Sequence, residues 1–169
     1  MIETDRLLVR RFDKNDAFAL LHVFGDPEVM RFGDGAQTEE WIRSWIDWVL
    51  QDYEEKGHGP LAVVDKKSAN AIGYCGLFDF PDINGRPEIE LGYRLLRSAW
   101  GQGYATEAAT AVRDYAFDVL GIERLVSLID PDNAASIAVA KKLGMTYAAD
   151  VLLEGYTHPD HVYVVEIAK

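Results

Sequence analysis

Cysteine is nearly absent from this chain, which carries one, Cys75. A lone thiol closes no internal disulfide, so nothing points to an oxidising compartment. Long apolar runs are missing too, and none approaches the roughly 20 residues that a membrane span needs. The N-terminal stretch MIETDRLLVRRFDKND is charged throughout and lacks the apolar core of a signal peptide. These absences lead to the expectation of a soluble, cytoplasmic protein with no membrane partner.

Positive charge is in short supply. Lys and Arg number 17 against 28 Asp and Glu, a formal net charge of −11. Such a surface repels a phosphate backbone, which argues against a nucleic-acid partner. It would attract a cationic acceptor such as an amine or a basic peptide end, or it simply keeps the chain in solution. Internal repeats, low-complexity tracts and linkers are also lacking.

What is present suits one domain spanning residues 1–169. The chain is 49% hydrophobic and 11% aromatic, enough for a sizeable core. Leu7–Arg10 reads as a short strand, and Asp16–Phe24 and Thr38–Glu55 as helices. Leu61–Val64 and Ile72–Leu77, preceded by Gly57, Gly59 and Pro60, read as a hairpin turning at Lys66–Asn70. Glu88–Leu96 is a strand, and Tyr104–Val119 a helix ended by Gly121. Arg124–Ile129 is a strand and Ala134–Leu143 a helix ended by Gly144. Met145–Leu153 and Val162–Ile167 are the closing strands. Antiparallel strands followed by strand, helix, strand, helix, strand, strand make an α+β class with a βαβ-like centre.

The stretch SAWGQGYATEAATAV, Ser98 to Val112, sets two glycines against a helix of alanines. Ala105, Ala108, Ala109, Val112, Ala116 and Val119 share one face, small enough to lie close to a sheet. Gly101 and Gly103 fall between strand and helix, where glycine removes side chains and allows positive φ. Backbone N–H groups and the helix N-terminus then form an anion site, with phosphate or pyrophosphate the expected anion. The spacing alone is equally that of a tight turn. It lacks the Gly-Lys-Ser/Thr ending of a Walker A loop. Thr106 stands where the dinucleotide fingerprint wants its third glycine.

ELGYRLLRSAWGQGYATEA followed by DPDNAASIAVAKKLGM resembles the GCN5-related N-acetyltransferases (GNAT), and within them the branch that includes the ribosomal-protein-alanine N-acetyltransferases. ETDRLLVRRF resembles that branch's first strand and HVYVVEI its last, so the resemblance covers nearly the whole chain. The family's loop usually reads Gln/Arg-x-x-Gly-x-Gly/Ala. Gly103-Tyr104-Ala105 fits its last three positions, while Trp100 stands where Gln or Arg is usual.

The resemblance implies a GNAT-type mixed, mostly antiparallel central sheet, flanked by helices and splayed between Glu88–Leu96 and Arg124–Ile129. It implies acetyl-CoA as co-substrate, with no metal. The pyrophosphate would sit on the backbone of Trp100, Gly101, Gln102, Gly103, Tyr104, Ala105 and Thr106. The pantetheine arm would pair with the free strand edge near Leu95, as an added strand does. Asn133 would bond the pantetheine, cap its helix, or do both.

Acetyl transfer to an amine sets its own requirements. A lysine-like amine has a pKa of about 10.4 and an α-amine about 7.7–8.0, so a base or a water path must take a proton before attack. The resemblance offers Glu90 as that base, with Gly92 on the same face leaving room beside it. Glu90 is otherwise an ordinary strand glutamate, and Glu88 shares its face. Ser136 is the candidate donor to the leaving thiolate, because Ala140 occupies the place where many relatives carry a tyrosine. It is otherwise a first-turn helix serine.

Trp41, Trp45 and Trp48 make one aromatic stripe, expected to be core and alternatively a wall of the acceptor pocket. Cys75 is expected to be an inert buried thiol. His158 and His161 flank Pro159-Asp160 in a loop, and His-x-x-His without a third ligand is a weak zinc signal. Two functions stand: an acetyl-CoA-dependent N-acetyltransferase, or a module of the same fold that holds coenzyme A without turnover. The acceptor, a peptide N-terminus or a small-molecule amine, stays open, as does the choice between monomer and homodimer.

Overall fold

Leu7 and Val9, two residues apart, are fully buried, the mark of a strand with one face on the core. The same logic builds most of the molecule. The computed structural model describes residues 1–167. In chain order the elements are β1 (Ile2–Glu3), β2 (Leu7–Arg10), α1 (Ala17–Phe24), α2 (Glu39–Lys56), β3 (Pro60–Asp65), β4 (Asn70–Ile83), β5 (Arg86–Leu95), α3 (Tyr104–Asp118), β6 (Arg124–Ile129), α4 (Ala134–Lys142), β7 (Thr146–Val151) and β8 (Asp160–Glu166). Single 3-10 turns stand at Lys14–Asp16 and Arg97–Ala99.

The strands form one eight-stranded sheet in the order β1-β2-β3-β4-β5-β6-β8-β7. Every pairing is antiparallel except β5 with β6, which is parallel and registers at one pair, Glu90 with Val126. Beyond that pair the two strands part. This is the α+β architecture, mixed, mostly antiparallel and splayed at its centre, that the sequence led us to expect.

One face of the sheet packs against α3 and α4, the other against α1 and α2. On α3, Ala108, Ala109, Val112 and Ala116 are fully buried, and their small side chains let the helix lie close to the sheet. Val119, expected on that face, is 66% exposed because α3 stops one residue earlier. On α2 the buried stripe is Ile42, Ile46, Val49 and Tyr53. The tryptophan stripe is core only at its middle: Trp45 packs against the buried cluster beside Phe12, Phe24 and Tyr74, while Trp41 and Trp48 are 37% and 42% exposed, on the flank of that apolar face.

The hairpin of β4 and β5 is longer than the sequence suggests. β4 runs through Pro81 to Ile83, and Asn84 and Gly85 turn it with φ of 53° and 89°. Proline argues against a strand interior. Here the register is irregular between Phe80 and Ile83, and the missing N–H falls at that irregularity. A second irregularity lies opposite Val63 and Val64. There Gly73 has φ 149°, and a Cβ would overlap the Arg94 carbonyl. Gly73→Ala is expected to destabilise the fold by about 2 kcal/mol, seen as a lower urea midpoint at unchanged slope.

Candidate functional site

The glycine loop is held from outside by a residue the sequence reading passed over. Arg6 donates to the Gln102 carbonyl at 2.8 Å and to Glu107 at 2.7 Å, and its guanidinium lies 4.3 Å from the centre of the Tyr104 ring. Gly101 and Gly103 take φ of 72° and 81°. A Cβ on Gly101 would meet nothing within 4 Å, so conformation rather than crowding requires glycine there. Gly103 starts α3 without a side-chain cap. The N–H groups of Tyr104, Ala105 and Thr106 therefore have no intrahelical partners. All three residues line a cleft of about 370 Å³ together with Trp100, Gly101 and Gly103. Gln102 stands outside that lining, its side chain bonded to the Ser98 carbonyl at 2.8 Å.

The open edge of β5 forms the cleft's floor. Leu96 N–H donates to the Ile72 carbonyl at 2.7 Å. Antiparallel alternation then turns the backbone groups of Leu91, Tyr93 and Leu95 away from β4, toward the gap. The Leu91 carbonyl accepts from Ser127 Oγ at 2.8 Å, and the Leu95 carbonyl from the Trp100 indole N–H at 3.0 Å. Tyr93 lies between them on the parted edge.

Glu90 sits where the strands part. Its carboxylate accepts from the Leu128 N–H at 3.3 Å. A Cβ on Gly92 would lie 3.6 Å from its carboxyl carbon, so the glycine does leave room beside it. Burial pushes Glu90 up to about 7, against the pull of the Leu128 N–H and Arg94. Glu88, on the same face, is in a different state: it is paired with Arg124 at 3.0 Å and Arg86 at 3.1 Å. Tyr74, Phe78 and Arg94 complete the wall around Glu90. Trp45 backs that wall, 5.4 Å from the Tyr74 ring. Arg94 also donates to the Val29 carbonyl at 3.1 Å, tying the segment after α1 to the sheet.

Asn133 and Ser136 face the same space from the start of α4. Asn133 is the N-cap, its Oδ1 accepting from the Ser136 N–H at 3.1 Å, which leaves its amide N–H groups for other work. Ser136 Oγ accepts from the Tyr93 hydroxyl at 3.2 Å. Ala140, one turn on, lines the cleft as well. Cys75 is buried mid-strand, its thiol pushed up by burial.

The two histidines do not act as a pair. His161 bonds Asp150 at 2.7 Å, while His158 bonds Asp130, also at 2.7 Å. Asp130, His158 and Asp160 bring ligand atoms within 4.8 Å of one another. The hydrogen bond to Asp130 raises His158, and burial beside Asp130 raises Asp160. Tyr156 bonded to Asp34 at 3.1 Å and His158 bonded to Asp130 tie the loop before β8 to the segment after α1 and to the end of β6.

A sheet parted at its centre, with an uncapped glycine-led helix at the gap, defines an acyltransferase of the GNAT architecture. Residues 6–146 match the family model described as an acetyltransferase (GNAT) domain. The chain belongs to the GNAT acetyltransferase family and is an N-acetyltransferase of that family. It is 36% identical over 151 residues to the YkkB protein of Bacillus subtilis (strain 168), covering 88% of this chain and 86% of the relative. It superposes on an acetyltransferase from Agrobacterium tumefaciens str. C58 with TM-score 0.81 and 31% identity, over 98% of this chain and 93% of that one. A solved structure of RimL, a ribosomal L7/L12 alpha-N-protein acetyltransferase in complex with coenzyme A, shares the fold at TM-score 0.81 and 20% identity, over 97% and 96% of the two chains. No helix among the described residues is long and apolar enough to cross a membrane.

Proposed function

We propose that this protein transfers the acetyl group of acetyl-CoA to a primary amine by direct attack on the thioester, with Glu90 as base. The observation that carries the reading is Glu90 itself: a half-buried carboxylate at about 7, in no ion pair among the described residues, at the point where β5 and β6 part. A base with that pKa takes a proton near neutral pH and returns it readily. The donor supplies an activated acyl carbon and a thiolate leaving group. Backbone N–H groups around Gly103 and Ala105 suit its pyrophosphate. The free edge at Tyr93 and Leu95 and the Asn133 amide suit its pantetheine arm. Ser136, on the opposite face of the sheet from Glu90, supplies a hydroxyl for the departing sulfur.

The acceptor approaches from the Glu90 side, past Tyr74, Phe78 and Arg94. Its class is an amine on a small molecule or a peptide N-terminus, and the −11 balance favours a cation in either case. A coenzyme A release assay over a panel of polyamines, amino acids and peptide N-termini tests the reading. Release with at least one amine supports transfer. Binding of acetyl-CoA with no release from any amine leaves a coenzyme A-holding module instead.

Acetyl-CoA at 100 times its Kd is expected to add about 2.7 kcal/mol to folding. For a chain of this length that is roughly 5–10 °C in Tm. Gly103→Val is expected to fold and to lose that rise, because a β-branched residue at φ 81° reshapes the loop. An undiminished rise in the variant places the phosphates elsewhere.

A further inference from the structure

Tyr93 is a hydroxyl the reaction above leaves unused, although it stands at the centre of the parted edge. Its side chain projects to the α3–α4 side of the sheet, opposite Glu90, and its hydroxyl donates to Ser136 Oγ at 3.2 Å. Ser136 is thereby given an acceptor role toward one partner. Its N–H is spent on Asn133 Oδ1. Among the described residues its own hydroxyl proton has no protein acceptor, and the cleft is the space that both side chains line.

We infer that Tyr93 is a positioning residue: it fixes the rotation of the Ser136 hydroxyl so that the serine proton points into the cleft, at the leaving sulfur. This rests on the acyl-transfer reading of the same site. A first-turn serine hydroxyl is otherwise free to turn back onto its own helix carbonyls. A donor bound to one lone pair removes that freedom. It also polarises the serine O–H, since hydrogen bonds in a chain strengthen one another. Burial pushes Tyr93 up to about 12, so it stays protonated and donates throughout the neutral range. Ala140, buried and one turn beyond Ser136 on the cleft side, is small enough to leave the tyrosine's approach open. No covalent step involves Tyr93. At the sulfur, the serine hydroxyl keeps its proton and donates a hydrogen bond to the thiolate as the carbon–sulfur bond breaks. Coenzyme A leaves as that thiolate and takes a proton from water, and the amine's proton goes to Glu90. The tyrosine bond holds the serine oxygen throughout.

The test is a double-mutant cycle with Tyr93→Phe and Ser136→Ala. Tyr93→Phe deletes one oxygen and keeps the ring. It is expected to lower kcat roughly three- to tenfold with the KM for acetyl-CoA unchanged. In the Ser136→Ala background the same change is expected to lower kcat no further, because the tyrosine acts only through the serine. A second readout needs no acceptor: the thiol of bound coenzyme A is titrated by the ultraviolet absorbance of its thiolate. Its pKa is expected to rise in each single variant and to rise no further in the double one. Equal losses with and without Ser136, or an unchanged kcat and thiol titration in Tyr93→Phe, overturn the inference and leave Tyr93 a packing residue. Should the parent release no coenzyme A from any amine, the acyl-transfer reading fails, and the thiol titration alone decides the role of Tyr93.

Discussion

Glu90→Gln is expected to lower kcat by about 10²–10⁴-fold, the usual loss when a general base is removed, while acetyl-CoA binds as before. Glutamine keeps the shape and can still accept the Leu128 N–H. It cannot take a proton. The parent's rate should rise with pH through about 7, where Glu90 ionises, and the variant should lack that limb. The same substitution carries a stability signature. Glu90 is raised in the folded protein from its ordinary 4.5 to about 7, mainly by burial. The folded state therefore holds the proton more tightly than the unfolded chain does, and rising pH weakens it. The loss is absent below about 4.5, grows between there and 7, and is complete above. Glutamine escapes it. At pH 8 the variant is expected to be more stable by about 2 kcal/mol, with no gain at pH 4, as urea unfolding at the two values will read. A variant that is slow and more stable only at high pH identifies a carboxylate strained for function. Unchanged rate and profile would leave a water chain as base.

What the sequence disclosed about this site is mostly local in the chain. Gly101, Gly103 and the alanines after them form one continuous stretch, and a turn followed by a helix is legible from neighbours alone. Asn133 as a helix start is legible for the same reason. The splay between β5 and β6 came from the resemblance, since a lone register pair between Glu90 and Val126 leaves no periodic trace. The difference between Glu88 and Glu90 was out of reach. Both occupy the same face of one strand; Arg86 pairs with Glu88 from two residues away, but the tighter pairing with Arg124 comes from 36 residues on, and neither arginine forms an ion pair with Glu90. The bond from Tyr93 to Ser136 joins residues 43 apart in the chain, and no local pattern connects them. The extended hairpin had a local signal, Asn84-Gly85, which Pro81 masked. The tryptophan stripe reaches the core at Trp45 alone, for a geometric reason. Residues 41, 45 and 48 lie about one position round the helix from 42, 46 and 49, and hydrophobicity alone favours the larger rings over the isoleucines that the sheet accepts.

Ser136→Ala is expected to lower kcat roughly ten- to a hundredfold while Tm barely moves. The serine occupies the first turn of α4, where the helix dipole favours a developing anion. Ala140 leaves no other side-chain hydroxyl on that helix face within the cleft. One hydrogen bond to a charged group contributes on the order of 1.5–3 kcal/mol, and each 1.36 kcal/mol is tenfold in rate. Stability is spared because the helix start depends on the backbone of residue 136: its N–H donates to Asn133 Oδ1, and alanine keeps that N–H. The Tyr93 hydroxyl does lose its partner, and it faces a cleft that water can enter. Leaving-group chemistry gives the sharper discrimination. With an acetyl thioester whose thiol is more acidic than coenzyme A, the departing sulfur needs less help, so the loss in Ser136→Ala should shrink toward unity. Glu90→Gln should show no such relief, since its deficit lies at the nitrogen. If Ser136→Ala instead weakens acetyl-CoA binding by the same factor as the rate, the hydroxyl binds the donor in the ground state and transition state alike. The departing sulfur would then be met by water or by backbone N–H groups at the α4 start.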